Sequence, residues 1–173
     1  MSIANLSSSL EPANHSRSGF FYQNIFQLLA CHHYEIALSY LNAALPQCSD
    51  HFEFWYSRGE ALAHLAQYSQ ALESFGAALR IRTDAVEAWV FRAVCWIHLE
   101  NPQAALADCD HALQLAPSHQ QALLFRGAAL QRLGRYREAY ASYDRALGIQ
   151  RPSIWRKVIR LVDSAWSRLA NLA

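Results

Sequence analysis

Three arginines recur at intervals of 34 residues, and this spacing could build a row of positive charge. They are Arg58, Arg92 and Arg126, and Asn24 occupies the equivalent position one interval earlier. Guanidinium groups in a row could bind an anionic ligand through charge-assisted hydrogen bonds. The position equally suits hydrogen bonding between neighbouring helices, for example from Arg92 to Asp108. We favour this structural role, because the position falls where two helices are expected to pack.

Two histidines, His64 and His98, recur at the same interval and are followed by Arg132. Imidazoles on adjacent helices could in principle bind a metal ion. No carboxylate or cysteine joins them at a suitable spacing, and the Arg132 cation would repel a metal ion. We therefore predict no metal site.

No catalytic motif accompanies these residues. The chain contains no G-x-S-x-G sequence, no Gly-rich phosphate loop and no H-E-x-x-H sequence. The carboxylates are scattered along the chain instead of being paired within one motif. The sequence therefore predicts neither an enzyme nor a bound cofactor.

Charge is unevenly distributed, although the net formal charge of the 173 residues is only +1. Residues 1–119 contain 5 basic and 11 acidic residues, whereas residues 120–173 contain 10 basic and 3 acidic residues. A basic end suits an anionic surface, but a solvated charged face is the favoured interpretation. The candidate basic surface comprises Arg135, Arg137, Arg156, Lys157 and Arg160. Nucleic-acid binding is disfavoured, because the interleaved aromatic residues fall mostly at core positions.

Four cysteines, Cys31, Cys48, Cys95 and Cys109, form no C-x-x-C pair. Buried reduced thiols are favoured over a disulfide framework or a zinc site. Residues 1–17 are polar and lack the apolar run of a secretory signal. No stretch approaches the roughly 18 apolar residues that span a bilayer. We expect a cytoplasmic protein.

The 34-residue interval divides most of the chain into four copies, at 18–51, 52–85, 86–119 and 120–153. Alanine or leucine recurs at the same place in all four. These positions are Ala37, Ala71, Ala105 and Ala139; Ala44, Ala78, Ala112 and Ala146; and Leu45, Leu79, Leu113 and Leu147. Each copy predicts two helices, because apolar residues recur at helical spacing on both sides of a break. Such a short pair cannot bury its apolar stripe alone, so the copies must stack.

These positions resemble the tetratricopeptide repeat, a 34-residue pattern of Trp, small, Ala, aromatic, Ala and Pro residues. The second copy matches with Trp55, Gly59, Ala71, Phe75 and Ala78. The third matches with Trp89, Ala105, Ala112 and Pro117, and the fourth with Gly127, Ala139, Tyr143 and Ala146. The first copy departs from the pattern, with Phe21 in place of Trp and Ile25 at the small position. The resemblance covers residues 18–153 and implies an all-α, right-handed solenoid of helix-turn-helix hairpins.

The resemblance also implies a concave groove, lined by the first helix of each copy, that binds a protein or peptide. The implied groove residues are Tyr22, Phe26, Tyr56, Glu60, His64, Val90, Phe91, Val94, His98, Leu124, Phe125 and Arg132. Many are apolar or aromatic, so an amphipathic helix or an extended segment with aromatic anchors is the expected ligand. One subclass of the family grips the carboxylate of acidic chaperone tails with lysines and arginines. The matching positions here lack cations, so this ligand is disfavoured.

The chain beyond the fourth copy predicts one more helix, at residues 154–173. Its apolar stripe comprises Ile154, Val158, Leu161, Val162, Ala165, Leu169 and Leu172. A terminal helix that covers the last apolar face of a repeat array is the favoured role. Trp155 and Trp166 beside basic residues also suit a helix that lies on an anionic membrane. Peripheral membrane contact is therefore an open alternative that we do not favour.

The sequence as a whole predicts a small helical scaffold, adaptor or assembly factor, chaperone-like in its role, that binds a partner protein through its groove. Two alternatives are a secretion-type chaperone and a structural subunit of a larger, membrane-associated complex. The first is usually acidic, which the basic residues 120–173 contradict. The second would dock through the basic C-terminal helix.

Overall fold

The computed structural model describes residues 15–149, with side chains described from residue 22 onward. Within this range the chain forms eight α-helices and no strand, so the predicted all-α class is confirmed. The helices are α1 (His15–Ala30), α2 (Tyr34–Ala44), α3 (Phe52–His64), α4 (Tyr68–Ile81), α5 (Val86–His98), α6 (Pro102–Leu115), α7 (Gln120–Arg132) and α8 (Tyr136–Ala146). None of these eight is long and apolar enough to cross a membrane. The predicted capping helix at 154–173 lies outside the described residues, as does the polar N-terminal segment before His15.

The helices form four hairpins, each with a first helix (α1, α3, α5 or α7) and a second helix (α2, α4, α6 or α8). Within a hairpin the two helices pack against each other, and α2, α4 and α6 also pack against the first helix of the next hairpin. The first helices contact one another in chain order. This arrangement is a right-handed solenoid in which neighbouring hairpins bury each other's apolar stripes.

Helices within a hairpin approach closely because their facing residues are complementary in size. A Cβ atom added to Gly59 would lie only 2.7–2.8 Å from the ring of Phe75. The equivalent positions in the next hairpin hold Ala93 and Cys109, both fully buried in one cluster. There the first helix has a larger residue and the second helix a smaller one. The close approach is thus preserved by exchanging volume between the two helices.

The turn within each hairpin has the same backbone conformation. The second of its three residues has a positive φ in all four hairpins: 61° at His32, 58° at Ala66, 56° at Glu100 and 75° at Gly134. A hydrogen bond between residues five positions apart closes around it, for example from the N–H of Asn101 to the carbonyl of Trp96 at 2.9 Å. This is a Schellman C-cap, in which glycine is the usual left-handed residue. Only the fourth hairpin has glycine at this position. The other three turns therefore lack the glycine by which the end of a helix is usually recognised in a sequence.

The loop between hairpins is tied to the following first helix by one side-chain hydrogen bond. The indole nitrogens of Trp55 and Trp89 donate to the carbonyls of Ser49 and Thr83, each at 2.8 Å. The equivalent carbonyl before α7 belongs to Pro117, but leucine replaces the tryptophan there. Arg145 of α8 donates to the Pro117 carbonyl instead, at 3.0 Å. Trp55 and Trp89 therefore fix the loops between hairpins in addition to packing against other side chains.

All four cysteines are free thiols. Cys95 and Cys109 are buried, and burial raises the pKa of each thiol to about 12. The prediction of buried thiols is confirmed for these two and is wrong for Cys31, which follows the last residue of α1 and is exposed. Cys48 is half-buried between α2 and α3.

The volume exchange between facing helices predicts strong coupling between Gly59 and Phe75. Gly59→Ala should cost about 1–3 kcal/mol of unfolding free energy, because the added methyl group overlaps the ring. In a Phe75→Cys background, which recreates the Ala93–Cys109 pairing, the same alanine should cost far less. Denaturant unfolding of the four proteins measures the coupling. An equal cost of the alanine in both backgrounds would show that ring overlap is not its cause.

The left-handed residues of the turns predict opposite effects of glycine and alanine. Glu100→Gly should raise the unfolding free energy by about 1 kcal/mol, because it relieves the left-handed strain of a side chain at φ 56°. Gly134→Ala should lower it, although open space surrounds the position, because the strain there is in the backbone alone. Thermal melting of both variants checks the pair, and the absence of opposite signs would contradict it.

Candidate functional site

The recurring arginines lie where first and second helices pack. Arg92 donates from Nε and Nη2 to both carboxylate oxygens of Asp108 at 2.7 and 2.6 Å. The Asp108 side chain is only 7% exposed and that of Arg92 is 22% exposed. The predicted hydrogen bonding between helices is confirmed, with the residue pair that the sequence suggests.

The other two arginines each connect two second helices. Arg58 donates to Asn42 Oδ1 on the preceding α2 at 2.8 Å and to Ser74 Oγ on α4 at 2.6 Å. Arg126 repeats this geometry, with Asp110 Oδ1 at 2.6 Å and Ser142 Oγ at 2.8 Å. The acceptors therefore lie 16 residues before and 16 residues after each arginine. We call this set of three arginines and their acceptors the arginine seam.

Arg92 makes both its bonds to one residue because Gly76 occupies the position 16 residues earlier and offers no side chain. Arg92 pairs with a carboxylate 16 residues later in the chain, Asp108, whereas Arg126 pairs with one 16 residues earlier, Asp110. The seam thus provides hydrogen-bond acceptors for all three guanidinium groups, and for Arg92 and Arg126 one acceptor is a carboxylate that neutralises the charge.

The recurring histidines stack on tyrosines of the preceding hairpin. The rings of Tyr34 and His64 lie 4.3 Å apart with an interplanar angle of 7°, and those of Tyr68 and His98 lie 4.3 Å apart at 2°. Arg132 follows in the same row and donates a hydrogen bond to the carbonyl of Ile97. No group of three His, Cys, Asp or Glu side chains able to hold a metal ion occurs among the residues described here. His64, His98 and Arg132, which the sequence assigns to the groove, thus connect neighbouring hairpins at one edge of the array.

Aromatic side chains concentrate on the first helices of the first two hairpins. Phe26 is 63% exposed, one helical turn from Tyr22. Tyr22 is half-buried, with its hydroxyl 3.3 Å from Ser57 Oγ. Tyr56 is also half-buried, and its ring stacks on that of Phe52 at 5.5 Å. This end of the predicted groove therefore offers an accessible aromatic surface.

Farther along the groove, side chains are less accessible than the sequence predicts. Val90 is only 2% exposed, because Ala112 and Ala122 pack over it, so its assignment to an open surface is corrected. Phe91 is half-buried, with its ring 5.9 Å from that of Phe75. Phe125 is half-buried against two core clusters. Val94 and Leu124 are half-buried as well.

Carboxylates surround the accessible aromatic residues. Burial raises the pKa of Glu60, and His64 offsets part of this shift. Burial also raises the pKa of Tyr56, and the negative charges of Glu60 and Glu87 raise it further. These charges act on the tyrosine because they lie close to it. Two carboxylates thus act on Tyr56, and the guanidinium group of Arg82 lies 3.5 Å from the centre of the Phe52 ring that stacks on this tyrosine.

The predicted basic surface is described only in part. Arg135 is exposed and forms a bidentate ion pair with Glu138 at 2.6 and 2.8 Å. This hydrogen-bonded pair raises the pKa of Arg135 and lowers that of Glu138. Arg137 is exposed. Arg156, Lys157 and Arg160 lie outside the described residues, so a continuous basic surface stays a prediction.

An open depression of about 460 Å³ lies between α1 and α2. The repeat pattern of the sequence does not predict it. Leu28, Cys31, Ile36 and Tyr40 contribute to its lining. Ile36 is 48% exposed there. The depression gives the first hairpin a second apolar surface, distinct from the row of first-helix residues.

Family comparison identifies the repeat from residue 28 onward. A tetratricopeptide repeat model matches residues 28–82 and 65–120, and a second model of the same repeat matches residues 120–152. No functionally curated protein matches the chain.

Several solved structures share the fold. The crystal structure of MamA is similar with a TM-score of 0.71 at 16% identity, over 75% of each chain. YrrB, described as a TPR protein with an unusual peptide-binding site, has a TM-score of 0.66 at 22% identity, over 75% of this chain and 67% of its own. The second TPR of Spaghetti (RPAP3), bound to the HSP90 peptide SRMEEVD, has a TM-score of 0.56 at 22% identity, over 60% of this chain and 96% of its own.

The arginine seam predicts unequal costs for its two carboxylates. Asp108→Ala should lower the unfolding free energy by about 3–5 kcal/mol, because Arg92 would keep a largely buried charge without its partner. Asp110→Ala should cost about 1 kcal/mol, since its side chain is 44% exposed and Ser142 still accepts from Arg126. Chemical denaturation of both variants checks the difference. Equal costs would contradict the role assigned to burial.

Proposed function

Because the chain belongs to the tetratricopeptide-repeat family, we propose that it is a protein-interaction scaffold whose first helices hold a peptide or helix of a partner protein. The observation that supports this most directly is Phe26, whose ring is 63% exposed one turn from the half-buried Tyr22. Large aromatic side chains on a concave surface commonly dominate binding energy. The peptide-binding descriptions of YrrB and of the RPAP3 repeat are consistent with this use of the fold.

The charge of the proposed site argues against an acidic ligand such as SRMEEVD. Glu60 and Glu87 lie near Tyr56, as their effect on its pKa indicates. A like-charged peptide would be repelled by a partly desolvated carboxylate. The proposed ligand is therefore neutral or basic, with apolar or aromatic anchors.

The same surface would support a more specific role in the cell. We propose that the protein acts as an adaptor or assembly factor, chaperone-like in holding a partner segment, and that it has no catalytic role. A cytoplasmic location agrees with the free thiols of Cys95 and Cys109, which a reducing compartment would maintain.

The anchoring residues differ from those that the sequence alone favours. Phe91 and Phe125 pack partly into core clusters, so truncating them removes core contacts together with any ligand contact. Phe26 separates the two effects, because its exposed ring contributes little to the core. It is therefore the side chain with which we test binding.

Peptides selected from a random phage-displayed library on the purified protein provide a defined ligand. Phe26→Ala should weaken binding of the selected peptide by about thirtyfold, the equivalent of roughly 2 kcal/mol. Its melting temperature should stay near that of the wild type, because the ring is mostly solvated. Isothermal titration calorimetry and thermal melting on the same protein measure both quantities.

Ile36→Ala is the matched control, since Ile36 is 48% exposed but belongs to the depression between α1 and α2. It should leave peptide affinity unchanged. Loss of binding in Ile36→Ala with full binding in Phe26→Ala would move the site to that depression and overturn the proposal.

A further inference from the structure

An open cleft of about 330 Å³ lies between α2 and α4, on the side of α3 that faces away from the proposed groove. Its lining includes Asn42, Trp55, Arg58, Glu73, Ala77 and Arg80. Successive residues of an α-helix turn by about 100°, so Trp55 and Arg58 lie opposite the groove residues Tyr56 and Glu60. The volume falls within the range of small-molecule sites, roughly 300–1,000 Å³.

The cleft exists because Ala77 has a small side chain where the next two hairpins have large ones. One interval later the equivalent residue is His111, whose ring centre lies 4.1 Å from that of Trp89, at an interplanar angle of 42°. Two intervals later it is Arg145, whose long side chain reaches the loop before α7. Trp55 takes the place of Trp89 in the second hairpin, and Ala77 offers it no ring to stack against.

Arg58 differs from the other arginines of the arginine seam, because both of its acceptors among the described residues are neutral. They are Asn42 Oδ1 and Ser74 Oγ, whereas Arg92 and Arg126 each pair with an aspartate. The Arg58 side chain is half-buried, and its charge is not neutralised by an ion pair within residues 22–149. Its Nε and Nη1 atoms donate to these two acceptors, which leaves the hydrogens of Nη2 for an acceptor in the cleft.

Arg80 adds a second guanidinium group to the cleft. It is exposed and forms no ion pair in the part of the chain that the structure describes. Glu73 contributes the opposite charge, so two arginines and one glutamate give the lining a net charge of +1. A positively charged concave surface favours an anionic ligand.

The third hairpin supplies from its own chain the two groups that are missing here. In α6, Asp108 provides a carboxylate to the seam arginine, and one turn later His111 provides a ring to the tryptophan. The equivalent residues of α4, Ser74 and Ala77, provide neither. A cavity left by a missing side chain can bind a small molecule that replaces it. The ligand that fits this cleft therefore combines a flat ring with a carboxylate.

We propose that the cleft between α2 and α4 binds a small aromatic carboxylate, with its ring against Trp55 and its carboxylate held by Arg58 and Arg80. Aromatic rings pack favourably in offset or tilted pairs, and guanidinium groups bind carboxylates through charge-assisted hydrogen bonds. The cleft and the groove are on opposite sides of α3, so this ligand and a bound peptide would not compete. The protein would then have one surface for a partner protein and a second surface for a small organic anion.

Three probes separate the contribution of the ring from that of the charge. Phenylacetate has both, phenylacetamide has the ring alone, and acetate has the charge alone. In an NMR titration of the full-length protein, phenylacetate should shift the signals of the Trp55 indole N–H and the Arg58 Nε–H saturably. The other two probes should each bind about tenfold more weakly or worse. Equal affinity for the acid and its amide would overturn the proposal, and so would the absence of a saturable shift with phenylacetate.

Substitutions in α4 test the assigned contacts. Ala77→His should abolish phenylacetate binding, because the imidazole would take the place of the ligand ring on Trp55. Arg80→Gln should weaken binding by about fivefold, and Glu73→Gln should strengthen it by a similar factor, since each removes one exposed charge from the lining. Both of these side chains are exposed, so the two variants should fold even if Ala77→His does not.

Arg82→Gln is the matched control, because this nearby arginine does not line the cleft. It should leave the affinity for phenylacetate unchanged. A loss as large as that of Arg80→Gln would indicate general attraction to positive charge and would overturn the proposal, as would full binding by a folded Ala77→His protein. None of these measurements uses a groove peptide, so their failure would leave the proposed function to its own test.

Discussion

The first helices α3, α5 and α7 each fit between two second helices, and the separation of the two helices within a hairpin depends on pairs of residues 16 positions apart. Gly59 faces Phe75, Ala93 and Cys109 share one core cluster, and the same positions hold Ile25 and Leu41 in the first hairpin. No single residue is required at either position, provided that the combined volume fills the gap. This exchange of side-chain volume lets α3 pack closely on α4, and α5 on α6, although the sequences of the two hairpins differ.

Hydrogen bonds also recur at equivalent places in the hairpins, although different side chains form them. The carbonyl that precedes a first helix is satisfied by an indole N–H from Trp55 or Trp89, and by a guanidinium N–H from Arg145 where the tryptophan is absent. Likewise, the carboxylate that neutralises a seam arginine lies on its own hairpin for Arg92 and on the preceding hairpin for Arg126. A buried polar group without a partner is costly, and accordingly Arg92, which lacks an acceptor on the preceding hairpin, makes both of its hydrogen bonds to the buried Asp108.

The proposed binding surface consists of first-helix side chains that are not used in packing one helix against another. Rings such as Phe91 are partly used to join one hairpin to the next, whereas Phe26 lies on the first hairpin, before which no described helix packs. Accessible aromatic area therefore concentrates near α1 and α3, where Glu60 and Glu87 also lie close to Tyr56. This surface combines apolar contact with carboxylates near Tyr56, which agrees with the neutral or basic ligand that we propose.

The sequence alone determined the 34-residue interval, the two helices of each copy and the structural role of Arg92 with Asp108. These follow from local periodicity and from the fact that residues at a fixed interval occupy equivalent places in a stacked array. The tertiary structure decided which residues at one repeat position are accessible. Tyr56, Val90 and Leu124 are equivalent in sequence, yet only Val90 is fully buried, because Ala112 and Ala122 pack over it. The exposure of a side chain depends on the volumes of the residues that neighbouring hairpins pack around it. A repeat pattern in the sequence does not give those volumes.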